Sequence, residues 1–331
     1  MFDAQRLKSM TNESLPKAGT PDAGVRERTI VRPEVFREWI APHVASLREL
    51  TTAIDATPDR YGRLPSAASR AMGDRSEEQN YRTRSAWEQP IIDTHAFGAL
   101  ALQAAADNVR GIAELFDSSR PPLYAYLTLA RAALESAVTS AWLSDPGIAC
   151  LERIKRGLCE MLYSANEINE LGLDPDAIES VEFWTQVGAS FGWTVDNSRT
   201  KPSVDGTRRP RVSNGLVQLI GVSSDVANAL YSRLSAVDHV TWSGLVSAMD
   251  LSGAQRDDRT GTASVPVAVD GGKVAAYTRY VVRALHAAAR TRFTCMGWVD
   301  DSWRATAANA EALESRLLEI AVASLRTTPA D

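Results

Sequence analysis

Apolar residues return every three to four positions along most of this chain, the period of a helix with one buried face. The first stripe is Val35, Phe36, Trp39, Ile40, Val44 and Leu47, opened by Pro33 and ending near Pro58. From about Trp87 to Phe116 a longer stripe runs through Ile91, Ile92, Leu100, Leu102, Val109, Ile112 and Leu115. Pro121 and Pro122 break it, and an Ala-rich helix is predicted from Tyr124 to about Leu143. Asp145 and Pro146 mark a turn, with Pro146 near the start of a helix carrying Leu151, Ile154, Leu158, Met161, Leu162 and Ile168. Shorter periodic segments follow at 176–190 and 213–249, the latter broken near Val222 to Asp225. Long ones follow at 272–295 and 302–326.

Between these lie polar stretches rich in Gly, Pro, Ser and Arg: residues 1–30, 58–85, 194–212 and 251–272. The reading is all-α, a multi-helix bundle of about eight helices with long polar loops. Thr262 to Val269 is a weak strand or hairpin signal. Residues 1–85 form an N-terminal arm, helix and linker, and residues 86–331 the main helical bundle domain.

Composition narrows function mainly by exclusion. The 331 residues are 44% hydrophobic and 23% charged, with a formal net charge of -5, so no global basic field draws the chain to nucleic acid. Arg208, Arg209 and Arg211 do cluster in one loop, as a solvated loop or a local basic patch. No run reaches the roughly 18 apolar residues of a membrane span, and there is no apolar signal core, so a cytoplasmic protein is expected. Three cysteines without a CxxC pair argue against a disulfide framework and a structural zinc site. The four histidines form no metal-ligand pair at helical spacing, so no metal and no cofactor are expected. Phosphate-binding glycine loops and the nucleophile elbow are also missing.

Candidate chemistry sits on two helices. Arg131 and Glu135 lie one turn apart in an otherwise apolar helix. Tyr231, Ser235 and His239 recur every four residues along one face of another. Buried polar groups cost free energy unless paired, which predicts that these five meet. His239 is the acid/base candidate and Arg131 an anion-binding one. Arg153 and Arg156 follow the Asp145 turn, as further phosphate ligands or as salt-bridge partners.

The Arg131 to Glu135 helix, the turn from Trp142 to Pro146 and the helix carrying Tyr231, Leu234, Ser235 and His239 resemble those of uncharacterised actinobacterial helical proteins. They also resemble the wider HEPN-like group, including its abortive-infection type, over roughly residues 90–300. The resemblance implies a helical bundle, often dimeric, and in many members metal-independent RNA cleavage by an Arg and a His with four to six residues between them. Arg233 and His239 fit that spacing, as do Arg37 with His43 and Arg279 with His286, but only the first pair lies in the helix that carries the resemblance. On that reading His239 is the general base and Arg233 stabilises the phosphorane, with RNA as the partner. Two other readings stay open: a small-molecule enzyme or binder taking an anionic ligand in an interhelical pocket, and a non-catalytic assembly subunit.

Overall fold

The computed structural model describes residues 33–81, 83–118, 124–172, 177–239, 255–257, 262–264 and 271–326. Ten helices among these residues make the protein all-α: α1 (Pro33–Arg60), α2 (Arg70–Glu78), α3 (Pro90–Asp117), α4 (Ala125–Leu143), α5 (Cys150–Leu171), α6 (Ala177–Ser190), α7 (Val212–Ile220), α8 (Ser224–Asp238), α9 (Gly271–Met296) and α10 (Asp301–Arg326). Strands β1 (Val195–Asp196), β2 (Ser203–Val204) and β3 (Thr207–Arg208) form a small antiparallel meander. A two-stranded antiparallel ribbon joins β4 (Gln255–Asp257) to β5 (Thr262–Ser264). The expected arm at 1–30, the break at Pro121 and Pro122, and the run of helix from 240 to 249 lie outside the described residues.

Two of these elements depart from the sequence reading for identifiable reasons. α2 lies in the stretch read as linker. Ser69 caps it by accepting from the Met72 amide, and its buried stripe is Ala71, Asp74 and Glu78. Two of the three stripe residues are acids, so a search for apolar periodicity passes over it. α5 begins at Cys150 and not at Pro146, because the Asp145 carboxylate accepts from the Gly147 amide and closes a turn first.

The main core is built from every helix of the bundle except α5 and α6. It includes Leu47, Leu50 and Ile54 of α1, Ala105, Val109 and Ile112 of α3, Ala130, Leu134 and Ala137 of α4, Leu234 of α8, Leu285 and Phe293 of α9, and Leu313 of α10. A second core lies beneath α5, α6 and the meander, from Trp87, Ile91, Ile154, Leu158, Leu162, Val187 and Val204. Small residues allow the closest approaches. A Cβ on Gly215 of α7 would overlap the Val138 side chain of α4. That contact seats α7, and with it the start of α8, tightly on α4.

Candidate functional site

α4 turns Ala130, Ala133, Leu134 and Ala137 inward and leaves Arg131, Glu135 and Thr139 as a stripe at four-residue spacing along its outer edge. α8 crosses this edge. The Arg131 Nε donates to Glu135 Oε1 at 2.8 Å, and the Tyr231 hydroxyl donates to the same oxygen at 2.7 Å. Arg131 Nη2 reaches the Tyr231 oxygen at 3.4 Å, and its guanidinium lies 5.5 Å from the Tyr231 ring centre. The cluster is half-buried: the side chains of Arg131 and Glu135 are 17% and 33% exposed. Burial opposes the charge on Arg131, but its bonds to Glu135 and Tyr231 outweigh that and raise its pKa. Burial, then the Glu135 bond, raises the Tyr231 phenol.

Three of the five predicted groups therefore meet, and the other two do not join them. Ser235 is half-buried, and its carbonyl accepts from the His239 amide at 3.0 Å. His239 is the C-cap of α8 and is exposed to solvent. Eight residues of helix separate it from Tyr231, about 12 Å of rise. Among the described residues, no hydrogen bond joins the His239 ring to Tyr231, Ser235, Arg131 or Glu135. Arg233 is exposed, while Leu234 beside it is buried in the core. Arg233 and His239 lie about 9 Å apart along the axis and about 120° apart around it, so within one chain α8 does not aim them at a single point.

A second set, not foreseen as a unit, adjoins the first. Arg209, in the loop after β3, stacks on Tyr163 of α5 with 4.4 Å between guanidinium carbon and ring centre. Its Nε lies 3.1 Å from Glu160 Oε1, an ionic contact without hydrogen-bond alignment, and its Nη2 donates to Thr139 Oγ1 at 3.0 Å. Glu160 is buried, which raises its pKa against the pull of Arg209. Burial also raises the Tyr163 phenol, which Arg209 lowers and which the carboxylates of Glu167, Glu160 and Glu135 raise further. Each set is thus an Arg, a Tyr and a Glu, and the α4 stripe links them. Arg209 was legible only as a basic loop residue. Glu160 and Tyr163 gave no signal beyond sitting three apart on a helix.

Arg153 and Arg156 serve the turn between α4 and α5. Arg153 is fully buried, pairs with Asp74 at 2.8 Å, and donates to the carbonyls of Leu143 and Asp145. Arg156 donates to the Trp142 carbonyl at 2.6 Å, contacts Asp145 and Glu152, and stacks on the Trp142 ring. Both satisfy carbonyls at the end of α4. They sit as salt-bridge partners, away from the Arg131 cluster in bonding terms.

Around Arg153 lies a buried polar cluster that the sequence did not announce. Arg292 donates to the His95 carbonyl at 3.0 Å and to the Ser144 hydroxyl at 3.3 Å, and burial lowers its pKa to about 10. His95 is held well below its ordinary pKa by burial and by the positive charges of Arg153 and Arg292. Asp74, Glu77 and Cys150 bring possible metal-ligand atoms within 4.8 Å of one another. Asp74 is already shared between Arg70 and Arg153, however, and burial pushes the Cys150 thiol to about 12, so the geometry favours ion pairing over metal binding. Cys159 is likewise pushed to about 12 by burial. Those two thiols are packing residues and not nucleophiles.

Elsewhere, a small cavity lined by His43, Leu47, Phe116, Val274, Thr278 and Leu317 holds two polar atoms without a hydrogen-bond partner, His43 Nδ1 and Thr278 Oγ1. No described helix is long and apolar enough to cross a membrane. Comparison of the chain with protein-family models, with curated proteins and with solved structures gives no match.

Proposed function

We propose that the protein is a HEPN-like, metal-independent ribonuclease that acts through α8. The observation that carries this reading is the exposure of His239 at the end of a helix pinned to the bundle by Tyr231, Glu135 and Arg131. An acid/base group must reach its substrate, and its helix must not wander. Exposed Arg208, at the end of β3, and exposed Arg211, the N-cap of α7, neighbour in sequence the Arg209 that bonds to Thr139 of the α4 stripe.

The chemistry is cyclising transesterification. The His239 imidazole takes the proton of a ribose 2′-hydroxyl, and the 2′-oxygen bonds to the adjacent phosphorus. Arg233 stabilises the charge on the phosphorane oxygens. The bond to the 5′-oxygen breaks, and the protonated imidazole returns its proton to that oxygen. The products are a 2′,3′-cyclic phosphate and a 5′-hydroxyl. Two-fold pairing along α8 is the arrangement that sets His239 of one protomer opposite Arg233 of another, so the reading includes a homodimer.

The experiment is incubation of purified protein with single-stranded RNA in excess chelator, beside His239→Ala of equal thermal stability. Cleavage by the first and at least about 100-fold less by the second is the expected result. Equal cleavage, or none by either, removes the reading.

A second reading rests on the pair of Arg–Tyr–Glu sets: a small anionic ligand bound along the α4 stripe, with Arg131 and Arg209 as its cations. Saturable binding of a small carboxylate or phosphate, abolished by Arg131→Ala and untouched by His239→Ala, favours this reading instead.

A further inference from the structure

The Arg209 guanidinium is fixed on three sides. The Tyr163 ring centre lies 4.4 Å from the guanidinium carbon, Glu160 makes an ionic contact with Nε at 3.1 Å, and Thr139 accepts from Nη2 at 3.0 Å. Its side chain nevertheless stays 30% exposed. Glu160 is buried and 7% exposed, and a carboxylate there carries a desolvation cost that its ion pair with Arg209 reduces only in part. A side chain held by these contacts and still partly exposed differs from an ordinary surface arginine, which moves through many rotamers. Arg208 and Arg211 flank it in sequence and are both exposed. Nearby Lys155 and Arg156 are already committed to Asp205 and to Asp145 and Glu152.

We infer that Arg209, stacked on Tyr163, is a base-stacking platform for single-stranded RNA, with Arg208 and Arg211 contacting the phosphates on either side. An unpaired base lays its face on a guanidinium or aromatic plane, and a plane oriented beforehand loses little entropy on binding. A base within a duplex presents no free face, so the platform selects unpaired strands. The inference rests on the ribonuclease reading and supplies what that reading lacks, a place where the strand is held while His239 acts.

The test uses the full chain in a His239→Ala background, so that bound RNA stays intact. Fluorescence anisotropy with a labelled 12-nucleotide single-stranded RNA is compared between this protein and the same protein carrying Arg209→Lys. The lysine keeps the charge opposite Glu160 but has no plane. Affinity should fall by about 5-fold to 100-fold while the melting temperature holds. Should that variant fold poorly, the Arg208→Ala, Arg211→Ala pair changes only exposed side chains. It should weaken binding and flatten the salt dependence by about one to two phosphate contacts. Unchanged affinity in Arg209→Lys, or equal affinity for a duplex of the same length, overturns the platform and leaves the ribonuclease reading standing if wild-type protein cleaves. No RNA binding by any form, together with no cleavage, removes both.

Discussion

Arg153 and Asp74 form an ion pair at 2.8 Å in which both side chains are fully excluded from solvent. The pair ties α2, the short helix inside a polar stretch, to the turn that ends α4 and begins α5. Removing one partner strands the other as a buried charge. Asp74→Ala should therefore cost about 3–5 kcal/mol. Arg153→Met should cost at least as much, since it also orphans the carbonyls of Leu143 and Asp145. The double variant should recover only part of the loss. Urea unfolding monitored by circular dichroism measures all three; a double variant as stable as wild type would show the pair to be dispensable.

Tyr231→Phe tests the α4–α8 cluster gently. It deletes one hydroxyl and leaves the ring beneath Arg131. Glu135 is partly open to water and can replace that donor, so the expected cost is below about 1 kcal/mol. RNA cleavage should fall far less than in His239→Ala. A loss of activity equal to that of His239→Ala would put Tyr231 in the reaction and not in support of the helix.

Acid should destabilise the fold through His95. Burial, then Arg153 and Arg292, hold its folded pKa well below 6.5, whereas the unfolded chain takes up a proton near 6.5. Its contribution is complete above that value and is lost as pH falls from 6.5 towards the folded value, by up to about 1.4 kcal/mol per pH unit. His43 is shifted the same way by burial and by Arg316. Glu160 acts oppositely, because its raised pKa favours the folded state on acidification in the range above 4.5. Stability of wild type and His95→Leu compared between pH 8 and pH 5.5 isolates the histidine, and the variant should show the shallower decline. Parallel curves would refute the assignment.

Thr278 is 3% exposed and its hydroxyl has no partner, as is also true of His43 Nδ1 in the same cavity. Thr278→Val keeps the shape and removes an unpaired polar atom. It should raise stability by about 1 kcal/mol. A lower melting temperature would indicate that the hydroxyl is satisfied in solution, by water bridging it to His43.

The long helices were legible because each hides an apolar stripe, as Leu134 and Leu285 do. The pairing of Arg131 with Glu135 and Tyr231 was legible from four-residue spacing combined with the cost of burying charge. α2 was not, because its inward face carries Asp74, whose partner Arg153 is 79 residues away, and Glu78, which accepts from the Ile91 amide. The Arg209, Tyr163 and Glu160 set was hidden for the same reason: α5 contributes Glu160 and Tyr163, a distant loop contributes Arg209, and nothing local marks the meeting. His239 was expected inside the polar cluster because a face was extrapolated along α8. The helix reaches its C-cap there instead, and the ring emerges into solvent.

The proposed reaction requires His239 to act on a ribose hydroxyl. The most direct measurement uses a DNA strand carrying one ribonucleotide, incubated in chelator with wild type and with His239→Ala. Wild type should make a single cut, 3′ to the ribonucleotide, ending in a 2′,3′-cyclic phosphate, and His239→Ala should make none. Cleavage of the all-deoxy strand, or identical cutting by both proteins, would contradict it.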